Sequence, residues 1–210
     1  FLYWEIIWVT INAEFKPHQK VLDLGGSSSL FSYYLASKGL DVTTVDLQKS
    51  LVENANNVAL SMGWNLKNYV MDMRSLSFDH QFDHITSICV YEHIPMYIRV
   101  NINRHIKELL VPGGRLTITF DYKNPSRFAN INSPDDIYNQ FIRPSGLRTR
   151  GNAIFQDTGK NYLLQPFYHP SMNFIYKIRQ VRHHHFFLRD LFKTKKSNDY
   201  TFGALFLENA

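Results

Sequence analysis

Hydrophobic and polar positions along the chain follow two alternating rhythms. Short apolar runs exchange with longer stretches in which apolar residues recur every three or four positions, the pattern of strands followed by helices. "KVLDLG" (20–25) reads as a first strand, Leu30, Phe31, Tyr34 and Leu35 as one face of a helix ending near Gly39, and "DVTTVDL" (41–47) as a second strand. Leu51, Ala55, Val58, Ala59 and Met62 repeat at helical spacing until Gly63 breaks the run. "LKNYVMD" (66–72) and "FDHITSICV" (82–90) predict strands three and four. Ile98, Ile102, Ile106 and Leu109 line a further helix, and "VPGG" (111–114) turns into a fifth strand, "RLTITFDY". Ahead of all these, Trp4, Ile7, Trp8, Ile11 and Phe15 share a helical face, which predicts an amphipathic N-terminal helix packed on the body of the domain.

Past Tyr122 the rhythm weakens. Ser133, Pro134 and the carboxylate of Asp136 supply an N-cap, a first-turn proline and a capping box, predicting a helix over about 134–143. "GLRTRGNAIF" (146–155) is a candidate sixth strand. Residues 156–196 mix turns, aromatics and basic residues without a clear period before "YTFGALFLE" (200–208) returns as a last strand. Regular alternation of strand and helix predicts an α/β fold. No linker or repeat divides the chain, so residues 1–210 read as a single domain: an N-terminal helix over 1–18, a core over 20–122, an excursion over 123–199 and the last strand.

Composition changes this picture little. With 44% hydrophobic residues, 16 Phe and 12 Tyr among 210, the chain is able to build a core without metal or disulfide staples. Cys89 is the single cysteine, which excludes an internal disulfide framework and fits a reducing, cytoplasmic setting. No apolar run is long enough to span a bilayer. The opening "FLYWEIIWV" carries Glu5 and lacks the basic flank and cleavage site of an export signal. A formal charge of +5 favours anionic partners only weakly. Most of the late basic charge lies in 177–196, which reads as a solvated face or as a surface for phosphate groups on a sugar or nucleic acid. His183, His184 and His185 are adjacent, so on a strand they point to opposite faces, and no Cys or Glu stands at ligand spacing; no metal is assigned.

The candidate chemistry begins at "VLDLGGSSSL" (21–30). Gly25 and Gly26 fall in the first strand-to-helix turn, which in an open parallel sheet faces the ligand crevice. Missing side chains there let a ligand touch backbone, and the N–H groups opening the next helix favour a negative group. Ser27, Ser28 and Ser29 are able to cap that helix and donate hydroxyls; they narrow the turn without closing it provided their backbone avoids positive φ. Acids stand at successive strand ends. Asp46, 21 positions after Gly25, is placed to accept both hydroxyls of a ribose, and Asp72 to accept from an adenine amino group. Asp23 sits inside the first strand, beneath the loop.

Together, "VLDLGGSSSLFSYYLASKG", "VTTVDL", "YVMDMRSL", "FDHITSICVYEHIP" and "ELLVPGGRLTIT" resemble the class I S-adenosylmethionine-dependent methyltransferases, in order and roughly in spacing, over residues 20–120. The resemblance implies a doubly wound, Rossmann-like sheet, mostly parallel with an antiparallel last strand, in a three-layer αβα sandwich. It implies S-adenosylmethionine as cofactor, with S-adenosylhomocysteine as product. Asp23, Gly25 and Gly26 would cradle the methionine part, Asp46 with Leu47 the ribose, and Asp72 with Met73 the adenine; Cys89 would lie near the sulfonium. Ser27 and Ser29 replace the later glycines of the family's loop.

Methyl transfer from a sulfonium needs donor and acceptor held in line, and an oxygen or nitrogen acceptor that loses a proton also needs a base. His93, with Glu92 as orienting partner, is the first candidate, because "YEHIP" (91–95) opens a helix beside the crevice. Asp121 and Tyr122 are weaker ones. Eight aromatics between Phe155 and Phe187 either belong to the core or form a lid over the acceptor. A small-molecule or glycan-type acceptor is expected, nucleic acid is not favoured, and the oligomeric state is open. Two other classes compete: a non-catalytic module of the same fold that binds RNA or protein, and a nicotinamide-dependent oxidoreductase, against which Ser27 and Leu30 stand where Gly-x-Gly-x-x-Gly needs glycines.

Overall fold

A computed structural model describes residues 2–123, 131–151 and 201–210. Strands β1 (Lys20–Leu24), β2 (Asp41–Asp46), β3 (Leu66–Val70), β4 (Phe82–Ser87), β5 (Leu110–Tyr122), β6 (Arg148–Thr149) and β7 (Thr201–Glu208) alternate with helices α1 (Leu2–Asn12), α2 (Leu30–Ser37), α3 (Lys49–Met62) and α4 (Met96–Leu109). α5 (Pro134–Ile137) continues through a π-helical turn, Tyr138–Ile142, into α6 (Arg143–Ser145). The seven strands of the described residues join one sheet in the order β3-β2-β1-β4-β5-β7-β6. β1 to β5 pair in parallel, whereas β7 runs antiparallel between β5 and β6. This is the doubly wound sheet with an antiparallel end. Strand order reverses between β1 and β4, the switch point at whose carboxyl ends open α/β sheets bind their ligands.

The alternation of side chains across the pleat builds two cores. Leu22, Leu24, Ile85, Leu116, Ile118 and Phe120 point to one face, where Ile102 and Ile106 of α4 and Phe141 cover them. Val21 and Val42 point to the other, beneath Ile6 and Val9 of α1, Phe31 and Leu35 of α2 and Ala59 of α3. α3 stops where expected, at Gly63 in the left-handed conformation, and the capping box of Ser133 and Asp136 is formed at α5.

Several expectations are corrected. The buried side of α1 is Glu5, Ile6 and Val9, continued by Ala13, while Trp4, Ile7, Trp8 and Ile11 are exposed. Because the helix is apolar on nearly every side, its 3.6-residue period does not select a face. β3 and β4 end at Val70 and Ser87, shorter than the apolar runs that predicted them, because each chain turns at the rim to present its next residues there. β5 instead starts earlier, at Leu110, and absorbs "VPGG" as an irregularity opposite Phe82 and His84. The candidate sixth strand is described only as Arg148–Thr149; the rest of that run, the late aromatics, the basic stretch and the three histidines lie outside the described residues.

Candidate active site at the β1–β4 crevice

The turn after β1 is built by its own side chains. Gly25 takes φ +77° and donates its N–H to Val45 O at 2.8 Å, and a Cβ on it would stand 2.8 Å from a Val90 methyl. Gly26 is required for another reason: its Cβ would lie 1.8 Å from the Asp23 carboxylate. That carboxylate is 2% exposed, directly under the loop, and accepts from Ser32 Oγ at 2.6 Å and Thr86 Oγ1 at 2.8 Å. Burial pushes its pKa from the ordinary 3.8 to about 6, against the pull of the two hydroxyls. Ser32 Oγ also lies 2.9 Å from Gly26 O, so Asp23 shapes the turn through Ser32.

The three serines are absorbed into the same structure. Ser27 Oγ pairs with Thr44 Oγ1 at 2.7 Å, inside the sheet. Ser29 caps α2, accepting from Ser32 N–H at 3.0 Å. Ser28 takes φ +59°, contrary to the expectation that the serine turn avoids positive φ. Its hydroxyl offsets the strain by donating to Leu51 O at 2.9 Å and accepting from Asn54 Nδ2 at 2.9 Å and Tyr33 OH at 3.3 Å.

Two acids occupy the same rim. Asp46 closes β2, and one of its oxygens caps the Gln48 N–H at 2.9 Å; Leu47 beside it is 68% exposed. Met71 N–H binds Asp46 O at 3.1 Å, which brings the end of β3 alongside. Asp72 then opens a 3-10 turn, Met73–Ser75, accepting from Arg74 N–H at 2.8 Å, Nε at 2.8 Å and Nη2 at 2.5 Å. The Arg74 guanidinium holds this carboxyl below the usual carboxylate range. An amino group brought to Asp72 would meet a carboxylate already held by a surface arginine. Met73 packs on the core.

Beyond β4 the rim is acidic. Cys89 takes φ +55° and donates its N–H to Thr119 Oγ1 at 3.2 Å; its thiol donates to the Glu5 carboxylate of α1. Burial, with Glu5, Glu92 and Asp121 around it, pushes the thiol far above its usual range. Glu5 is 1% exposed, and burial with the neighbouring Asp121 charge raises its carboxyl. Sequence reading did not bring Glu5 to this rim. The available signal was its being the sole charge within "LYWEIIWVTIN".

Glu92 and His93 sit in the 3-10 turn Tyr91–His93. The Glu92 side chain is 1% exposed and that of His93 53%, with Nε2 and Oε1 4.0 Å apart. A buried arginine backs this turn: Arg99 donates Nη2 to Ile94 O at 3.0 Å and Nη1 to Gln140, and lies 5.4 Å from the Phe141 ring centre. Burial lowers Arg99 to about 10, while the Glu92 charge opposes the shift. Asn103 completes the support, donating to Gln140 O at 2.8 Å and accepting from Tyr91 OH at 3.2 Å. Arg99 and Asn103 lie beside the stripe of Ile98, Ile102, Ile106 and Leu109 predicted for α4, and the buried side of the helix turns toward them, so the hydrophobic period gave no sign of them. Asp121 is buried next to Glu5, and Tyr122 belongs to the core. Among the described residues no three His, Cys, Asp or Glu side chains are grouped to hold a metal ion, and no helix is long and apolar enough to cross a membrane.

Residues 21–114 match the family described as "Methyltransferase domain". A ubiquinone biosynthesis O-methyltransferase of Coxiella burnetii is 32% identical over 158 residues, covering 68% of this chain and 67% of the relative. The chain belongs to the class I S-adenosylmethionine-dependent methyltransferases. Solved methyltransferases share the fold at low identity. One described as a putative sarcosine dimethylglycine methyltransferase, from Galdieria sulphuraria, is 14% identical with a TM-score of 0.64, covering 100% of this chain and 85% of that one. A coclaurine N-methyltransferase bound to N-methylheliamine and S-adenosylhomocysteine is also 14% identical, with a TM-score of 0.64 over 99% of this chain and 72% of its own. Membership makes the chain a methyltransferase enzyme and implies S-adenosylmethionine as its cofactor.

The donor set of this methyltransferase suits that cofactor. Asp46 and Asp72 offer acceptors for hydroxyl and amino groups at the ends of β2 and β3, and the Gly25–Gly26 turn between them and β4 offers bare backbone.

Proposed function

We propose that the chain binds S-adenosylmethionine across the β1–β4 crevice and methylates an oxygen of a small-molecule acceptor. The 32% identity to an enzyme named as an O-methyltransferase carries the choice of oxygen; a nitrogen or glycan-type acceptor is the alternative. Asp46 with Leu47 would hold the ribose, Asp72 with Met73 the adenine, and the Gly25–Gly26 backbone, shaped by Asp23 and Ser27, the methionine part near Cys89. When bound, the cofactor supplies an electrophilic methyl group on a positively charged sulfur. The protein's part is to hold the acceptor in line and exclude water.

An acceptor hydroxyl must lose its proton as the new C–O bond forms. His93, half-exposed, is the group we assign to take it, with Glu92 4.0 Å away as its orienting partner. Arg99 would act as a positioning residue by fixing the turn through Ile94 O.

Calorimetry with S-adenosylmethionine, S-adenosylhomocysteine and NADH tests the cofactor: the first two are expected to bind and NADH not. A panel of phenols, amines and sugars, read by methyl incorporation, tests the acceptor, with phenols favoured. His93→Ala is expected to lower methyl transfer by about 100-fold with cofactor affinity unchanged. An unaltered rate removes His93 from the mechanism.

A further inference from the structure

We infer that the chain carries a second binding site, at the amino ends of the strands, for a small anion of the diphosphate class. The glycine turn at Gly25 and the acids Asp46 and Asp72 stand at the carboxyl ends of β1, β2 and β3. At the other end of the sheet lies a cavity of about 510 Å³, bordered by Gln81 just ahead of β4 and by Leu110 at the start of β5. Pockets of that size take small molecules. Three cations line it. Arg104 and Lys107 are three residues apart on α4 and share a face, and Arg143 comes to the same cavity from α6. The two helices touch here: a Cβ on Gly146, which takes φ +62°, would stand 4.0 Å from Lys107 Cδ, so the aliphatic stem of Lys107 lies along the turn that ends α6.

Among the described residues the side chains of Arg104, Lys107 and Arg143 make no hydrogen bond or ion pair. The acid on this lining, Glu108, faces His105 at 3.9 Å instead. Cations gathered round one hollow repel one another and concentrate anions there. Arginine adds paired N–H donors that match phosphate oxygens, and lysine a compact charge. The backbone that carries them is already pinned: Gln81 Nε2 donates to Glu108 O at 3.0 Å, Asn209 Nδ2 to Leu110 O at 3.0 Å, and Ser145 Oγ to Ile142 O at 2.9 Å. A ligand therefore has only the long cationic side chains to order. Three positive charges against one acid favour a multiply charged anion, and the volume holds more than a single phosphate group. No aromatic side chain lines the cavity among the described residues, so a base has nothing to stack on, which favours a small phosphate compound over single-stranded nucleic acid.

Calorimetry on the full chain at low ionic strength, with inorganic pyrophosphate as the probe, tests the site. Wild type is expected to bind pyrophosphate more tightly than inorganic phosphate. Arg104→Gln and Arg143→Gln are each expected to weaken pyrophosphate about fivefold, and the triple variant with Lys107→Gln about a hundredfold, as loss of solvent-screened charge pairs predicts. S-adenosylhomocysteine is expected to bind wild type and triple variant alike, because its site lies at the other end of the strands; a parallel fall in both ligands overturns a separate anion site. Two further arms identify the source of the phosphate: ADP, and phosphatidylcholine vesicles with and without phosphatidic acid. Loss of either interaction in the triple variant supports the site and names a soluble ester or a lipid headgroup as its ligand. No binding of pyrophosphate, or equal binding by wild type and triple variant, overturns the proposal, the second result moving the anion elsewhere on the chain. Single-stranded RNA that binds more tightly than pyrophosphate and is lost in the triple variant overturns it too, by making this rim a nucleic-acid surface.

Discussion

Replacing Asp23 with asparagine isolates the charge buried beneath the glycine turn. In the folded protein this carboxyl titrates near 6 instead of its ordinary 3.8, so the native state binds the proton more tightly than the unfolded chain does. The resulting stabilisation is complete below about pH 4 and is lost as pH rises through about 6. At about 1.4 kcal/mol per pH unit, the loss amounts to about 3 kcal/mol. The side-chain amide keeps the shape without the charge, since Ser32 Oγ still finds an acceptor in Gly26 O. Urea unfolding of wild type and Asp23→Asn between about pH 4 and 8 reads the difference. The two curves are expected to lie together at the acid end and diverge through pH 5 to 6, with the variant more stable at neutrality. Subtraction removes the contribution of Glu5 and every other group that titrates in both proteins. Parallel curves would refute the reasoning, because they would mean that the carboxylate is as well solvated under the loop as in the unfolded chain.

Gly26→Ala is expected to cost about 3 kcal/mol or more, because its Cβ would fall 1.8 Å from Asp23; the double variant with Asp23→Ala should recover part of that loss, and simple additivity in urea unfolding would refute the clash. Arg99→Met is expected to destabilise by about 3 kcal/mol, since it removes the charged hydrogen bonds to Ile94 O and Gln140 and leaves both acceptors buried; a urea midpoint within error of wild type would show that this network is not a structural unit.

The sheet was legible because its strands are buried on both faces, so Val21 to Leu24 and Val42 to Val45 stand out as apolar runs between helical periods. The rim was legible for a related reason: the parallel register that places Gly25 beside Val45 also places Asp46 beside Val70, so acids at strand ends in the sequence become acids on one edge. Side-chain direction was not legible in α1. With Trp4, Ile7, Trp8 and Ile11 as apolar as the residues that are buried, tertiary packing chose the face, and it chose the one bearing Glu5. Ser28 escaped for a different reason: its positive φ is stabilised by Leu51, Asn54 and Tyr33, partners that no local pattern around the serine announces. Arg99 and Asn103 flank the apolar stripe of α4 and are buried with it, because a polar network satisfied by distant partners such as Gln140 leaves no apolar signal in the local pattern.

The antiparallel β7 gives a late segment of the chain an outsized mechanical role. Thr201–Glu208 is zipped to β5 along eight residue pairs, and among the described residues β6 pairs with the sheet only through it; Asn209 then staples the start of β5 through Leu110, Val111, Gly113 and Gly114. Ribosomal synthesis therefore delivers the clasp after everything it fastens, and until it arrives β5 presents a long naked edge. Loss of this segment would unbutton two strands at once and expose a self-adhesive border, turning a truncation before Thr201 into an aggregation hazard.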